Sequence, residues 1–203
     1  MGQYYKVFTK EGNGKIVVYN RKVIVDGKEE YTPAKLTEHS WFLNDFVNAI
    51  CEKIYLSDRP FKLIWMGDYA KDITDFNKVS RKTFLRYHDK CWKHDEKAVA
   101  INASGFTLYN LFIVNHTKKE YFDCTQYFNR SVMKSKYGDW CLHPVPLLTC
   151  LGNGLGCGDY THPTEDSTFD LVGTWALDEI SITDNPIAEY EEIYPLFKEL
   201  GWN

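Results

Sequence analysis

No apolar run in the 203-residue chain approaches the roughly 20 residues that a membrane helix needs, so no membrane partner is expected. Basic residues are not in excess. Lys and Arg total 24 against 28 Asp and Glu, a net charge of −4, which argues against a dedicated nucleic-acid binder with its clustered basic surface. The opening stretch, MGQYYKVFTKEGNGK, lacks the apolar core of a secretory signal. Lys6 stands where a myristoylation signal would carry Ser or Thr. A cytoplasmic location is the expectation. HExxH, HxH and CxxC are all missing, as is the G-x-S-x-G elbow of many hydrolases. Neither a metal site nor a cofactor is expected.

Among what is there, six cysteines (Cys51, Cys91, Cys124, Cys141, Cys150 and Cys157) follow no regular spacing, and they read as reduced thiols in an intracellular chain. In that compartment the sequons at Asn102, Asn115 and Asn129 are chance matches. Aromatic residues make up 16 %, enough to build a thick core and to line a pocket as well. The length suits one globular domain over residues 1–203, with no internal repeat and no linker.

The fold class expected is α+β with a mainly antiparallel sheet. YYKVFTK and KIVVYNRKVIV read as strands divided by Gly12-Asn13-Gly14, and Asp26-Gly27 offers a second turn. A helix is predicted at 37–56, capped by Thr37, with Phe42, Phe46, Val47, Ile50 and Ile54 on one face. FKLIWMGDY follows as a central strand, and a helix is expected around SRKTFLRYHDKCW. LYNLFIVNH and KEYFDCTQYF form a hairpin turning at HTKK, with His116 at its tip. Residues 125–146 read as irregular and LVGTWALDEISIT as a strand. A C-terminal helix is predicted at 186–200, opened by Asn185-Pro186, with Ile187, Tyr190, Tyr194 and Phe197 at helical spacing.

The most unusual stretch is LTCLGNGLGCGDY, in which Gly152, Gly154, Gly156 and Gly158 alternate with Asn153, Leu155 and Cys157. Glycine lets backbone N–H groups converge into a concave nest and lets an anion approach closely. No Gly-Lys-Ser/Thr follows, so this is not a phosphate-binding Walker loop, and no periodic helix follows as a dinucleotide fingerprint requires. A ligand-contacting loop and a plain irregular turn both remain open. Gly-Asp-Tyr occurs twice, as Gly67-Asp68-Tyr69 and Gly158-Asp159-Tyr160, each after an apolar segment. Two aspartates at strand ends can serve as an acid–base pair, although Gly-Asp is also ordinary turn chemistry. His39 lies in the first turn of the predicted 37–56 helix, and His143 precedes Pro144 upstream of the glycines. Trp41, Trp65, Tyr69 and Tyr160 neighbour these positions and could stack on a base, or simply fill the core.

LTEHSW, WMGDYA, LFIVNHTKKEYFD, HPVPLLTCLGNGLGCGDY and VGTWALDEISI, taken in that order, resemble a group of uncharacterised proteins of bacteria, phages and protists. The resemblance covers most of the chain and implies no activity. It implies a phage or bacterial-defence setting for whatever the chain binds.

Three functions are compatible with these residues. The first is a binding protein for a small polar ligand, a nucleotide or nucleotide-derived signal. Its site would be His39, Trp41, Trp65, Asp68, Tyr69, His143, Asn153, Gly154, Gly156, Gly158, Asp159 and Tyr160. The second is a metal-dependent hydrolase or phosphodiesterase with His143 or His39 as base and Asp68 and Asp159 as acid or ligand. The third is an interaction module that inhibits or protects a protein partner.

Overall fold

Two tight turns start the fold. Gly12-Asn13-Gly14 joins β1 (Tyr5–Lys10) to β2 (Ile16–Val25), and Asp26-Gly27 joins β2 to β3 (Lys28–Thr32). Gly14, Asp26 and Gly27 adopt positive φ (81°, 50° and 75°), the conformation such hairpins need. The structure is a computed structural model and describes residues 2–39, 42–73, 78–93, 99–101, 105–131, 133–135, 138–160 and 171–193.

The other strands are β4 (Phe61–Gly67), β5 (Val99–Ile101), β6 (Phe112–Asn115), β7 (Glu120–Asp123), β8 (Met133–Ser135), β9 (Gly138–Trp140), β10 (Cys150–Leu151), β11 (Glu179–Thr183) and β12 (Glu191–Glu192). Strands β8 and β9 form a separate hairpin. The rest make one mostly antiparallel sheet in the order β12-β7-β6-β11-β4-β1-β2-β3, with β10 also on β4 and β5 also on β2. Strand β4 is central. All of β1 pairs with it on one side, while its other side is shared between β11 at Lys62 and Phe61 and β10 at Trp65 and Met66.

Alternation along β4 and β1 divides the core into two layers. Tyr5, Val7, Leu63 and Trp65 face one way, against Phe46, Val47, Ile50 and Ile54 of α2 (Asp45–Tyr55) and the buried α5 (Pro144–Thr149). Phe8, Ile64 and Met66 face the other way, against Phe84 and Cys91 of α3 (Arg81–Trp92). The expected helix around SRKTFLRYHDKCW is α3, capped by Ser80, whose hydroxyl accepts from the Thr83 amide.

Four expectations need correction. The helix at 37–56 is divided into α1 (Leu36–His39) and α2, because Asn44 leaves helical geometry (φ −68°, ψ 117°) and its side chain accepts from the Val47 amide at 3.1 Å. Thr37 lies inside α1, so Asn44 is the cap of the longer helix. The C-terminal helix at 186–200 is not formed over its first part: Glu191 and Glu192 are β12, paired in parallel with Glu120 and Tyr121 of β7. Edge pairing with β7 there overrides the helical spacing of the side chains; residues 194–200 lie outside the described residues. Within LVGTWALDEISIT only Glu179–Thr183 is strand. Residues 171–178 turn repeatedly, with the Gly173, Trp175 and Leu177 amides donating to the carbonyls of Leu147, Leu148 and Leu63. The stretch 125–146 is more regular than expected, holding most of α4 (Cys124–Ser131) and the start of α5, with Pro144 in the first turn where its missing N–H costs nothing.

Candidate functional site

The glycine run follows β10 and folds back on its own aspartate. The amides of Gly154 and Gly156 both donate to Oδ2 of Asp159, at 2.9 and 3.0 Å. Oδ1 of the same carboxylate accepts from the Tyr5 hydroxyl at 2.9 Å. Asn153 closes the other end, its side chain accepting from the Tyr160 amide and donating to the Tyr160 carbonyl. The nest that the spacing suggested is present, and a carboxylate from within the loop fills it. Burial pushes the Asp159 carboxyl upward, opposed by the amides and the Tyr5 hydroxyl that favour the ionised form.

The glycines also make room for two other side chains. Gly67, Gly152 and Gly156 surround Gln3, and a Cβ at Gly156 would come within 2.6 Å of the Gln3 Cβ and 2.9 Å of its backbone nitrogen. Gly158, at φ 91°, lies under the stem of Lys35. The Gln3 amide donates to the Cys157 carbonyl, so the N-terminal segment and the loop are laced together.

The remaining sequence-predicted residues that are described stand on separate elements. Trp65 is wholly buried, with its ring against Phe46 at 6.3 Å. Asp68 and Tyr69 lie in a short 3-10 helix (Asp68–Asp72), where the Asp68 carboxylate accepts from the Tyr4 amide. His143 is the buried cap of α5: its Nδ1 accepts from the Val145 amide, which leaves Nε2 protonated and donating to Asn48 Oδ1 at 3.2 Å. Burial lowers its pKa to about 3, so it is a neutral structural group out of reach of solvent. His39 ends α1, and its side chain is not described; Trp41 lies outside the described residues. All six cysteines are free thiols, and only Cys157 is exposed.

A different region is open. Strand β11 outruns β4: Ile180 pairs with Phe61, and beyond that point the turn Ser57–Pro60 swings away. The resulting cleft has a volume of about 620 Å³ and is lined by Tyr55, that turn, His116 and residues 181–185. Two polar pairs stand in its wall. The Tyr55 hydroxyl donates to the Asp184 carboxylate (3.0 and 3.2 Å), and His116 Nε2 lies 2.8 Å from Ser181 Oγ. His116 Nδ1 is 3.4 Å from the Tyr190 hydroxyl. Half-burial lowers the His116 pKa, opposed by nearby Glu179, and keeps the ring neutral near pH 7. Arg59 supplies the cation of this wall and Asp58 a second carboxylate.

A buried polar group holds the wall in place. Asp178 accepts from Lys78 Nζ at 2.7 Å and from Asn115 Nδ2 at 2.9 Å. Asn115 in turn accepts from the Thr117 and Lys118 amides, and the His116 amide donates to the Glu179 carbonyl. Sequence reasoning missed Tyr55, Arg59, Ser181 and Asp184. Its only signal was His116 at a hairpin tip, since the partners are separated along the chain by up to 129 positions.

No three His, Cys, Asp or Glu side chains among the described residues group closely enough to hold a metal ion. No helix among them is long and apolar enough to cross a membrane. Comparison with protein-family models, with curated proteins and with solved structures found no match to this chain.

Proposed function

We propose that this protein binds a small polar ligand, a nucleotide or nucleotide-derived molecule, in the cleft beside β11 and not in the glycine loop. One observation carries the reading. The cleft presents a cation, two carboxylates, two hydroxyls of serine and a neutral histidine to solvent in one open space of about 620 Å³. That is within the size range of small-molecule sites, and its mixed polarity suits a ligand with both an anionic group and hydroxyls. Arg59 takes the anionic part, since guanidinium offers paired donors to phosphate. Asp58 and Asp184 accept from sugar hydroxyls, and the Tyr55 ring offers a face to the base.

The test is native mass spectrometry of the intact protein with adenosine and guanosine mono- and diphosphates. One nucleotide per chain is expected. Arg59→Ala should weaken binding at least about tenfold, the effect of losing roughly 1.4 kcal/mol. Gly154→Ala should leave affinity unchanged. Binding lost in Gly154→Ala and kept in Arg59→Ala would return the site to the glycine loop.

A further inference from the structure

The geometry points to an esterase activity in which Ser181 is the nucleophile and His116 the general base, acting on acyl esters of small polar alcohols. It rests on the cleft as the ligand site, but not on the ligand being a nucleotide.

The first support is the pair itself. At 2.8 Å, His116 Nε2 is within hydrogen-bond reach of Ser181 Oγ, the arrangement that activates a serine hydroxyl. The Tyr190 hydroxyl lies 3.4 Å from Nδ1, and in the tautomer with its proton on Nδ1 it accepts from that nitrogen and Nε2 is free as the acceptor. Tyr190 also meets the imidazole edge-on, with ring centroids 5.9 Å apart at 77°. Burial holds His116 neutral near pH 7, the form a base requires.

Rigidity is the second support. His116 follows directly on Asn115, which pairs with Ile180 across the sheet and is tied to buried Asp178. Ser181 is the next residue of β11. Ser181 therefore stands on β11 and His116 one residue past the end of β6, beside the Lys78–Asp178 ion pair, where a fixed approach distance can be maintained.

A place for the developing negative charge is the third. Along β11 the main-chain groups alternate in direction. Glu179 points its carbonyl toward β6, where it accepts from the His116 amide. Ile182, three residues on, therefore turns its N–H to the opposite side, where β4 has ended. Ile182 lines the cleft although only 3 % of the residue is exposed, as expected if its backbone forms the wall. The amide after the nucleophile and the Arg59 guanidinium are the donors available to an oxyanion.

The reaction closes on water alone. Ser181 Oγ bonds to the ester carbonyl carbon while its proton passes to His116 Nε2. The carbon–oxygen bond to the alcohol then breaks, and His116 returns that proton to the departing oxygen. Water adds to the acyl-serine, giving a proton to His116. The acyl–Oγ bond breaks with reprotonation of Ser181, which releases the carboxylic acid.

The intact protein should be treated with a fluorophosphonate, and the adduct located by peptide mass spectrometry. One adduct per chain on Ser181 is expected, absent in Ser181→Ala and formed at least about 100-fold more slowly in His116→Gln. Melting curves of both variants establish that they are folded, and Ser181→Cys, treated with iodoacetamide, reports the environment of the same position should Ser181→Ala unfold. Its alkylation should slow when His116→Gln is added. No adduct, an adduct on another residue, or equal rates in wild type and His116→Gln would overturn the assignment. The two readings fail separately: labelling without nucleotide binding removes the nucleotide and keeps the esterase, and nucleotide binding without labelling does the reverse.

Discussion

The glycine loop and the cleft beside β11 are both dense in polar groups, yet they use them in opposite ways. In the loop, two backbone amides and a tyrosine hydroxyl converge on Asp159, a carboxylate three and five positions from the two donating glycines. The Asp159 carboxylate has partners for both its oxygens within the fold, and what stabilises the loop is this internal match. In the cleft, Tyr55 meets Asp184 and His116 meets Ser181 and Tyr190 in an open wall, where lone pairs and protons stay within reach of a ligand. A backbone rich in donors is a binding site only when the chain does not supply the acceptor itself. The two histidines repeat the contrast: His143 is saturated and sealed, His116 half-open.

The strongest way to break this comparison is Asp159→Ala. It strands two amides and a buried hydroxyl, and should cost about 2–4 kcal/mol by denaturant unfolding. Asp159→Asn keeps an oxygen for both amides and lets the Tyr5 hydroxyl turn to accept, so its loss should be about 1 kcal/mol. A loss under about 0.5 kcal/mol for the alanine variant would mean that the loop does not depend on its own carboxylate.

Acid titration probes the sealed histidine. The folded pKa of His143 lies near 3, below its ordinary value of about 6.5. The unfolded chain therefore binds the extra proton between those values. The contribution is complete above the unfolded pKa and is lost as pH falls, at up to about 1.4 kcal/mol per pH unit. Asp159 acts in the opposite sense, because its folded pKa is raised: its contribution is present at low pH and falls as pH rises through the carboxylate range to the folded value. His143→Asn, which retains a capping oxygen, should flatten the acid slope by one proton. An unchanged slope would place His143 in contact with solvent.

Two glycines separate space from conformation. Gly156→Ala pushes a methyl group into Gln3 at ordinary φ and should cost about 1–3 kcal/mol. Gly154 has φ 88° with nothing within 4 Å, so Gly154→Ala carries backbone strain alone, about 1 kcal/mol. Equal losses would show that the packing around Gln3 is loose. The smallest effect belongs to the cleft: Tyr55→Phe removes one exposed hydrogen bond and should change stability by less than about 0.5 kcal/mol. Its thermal stability should match wild type while affinity for nucleotide falls.

Legibility followed the range of the interactions. The turns at Gly12–Gly14 and Asp26-Gly27 and the helix α3 were readable, because positive φ and a serine cap are decided within a few residues. The glycine run was recognisable as a nest for the same reason, but the carboxylate that accepts from two of its amides was not. Nothing in the spacing distinguishes an Asp159 that greets a ligand from one that turns inward to meet Tyr5. The helix at 37–56 failed at Asn44, where one local cap outweighed a continuous apolar stripe.

By itself the sequence determined the fold class, the hairpins and the apolar faces, since these follow from backbone preference and from burial patterns of period two or near four. Only the tertiary structure decided which polar groups remain available. Tyr5 reaches Asp159 across 154 positions, and His116 meets Ser181 across 65, because strand pairing brings them together. Hydrogen bonds act over about 3 Å in space and are indifferent to distance along the chain. The same residue types that seal one end of the sheet therefore leave the other end open.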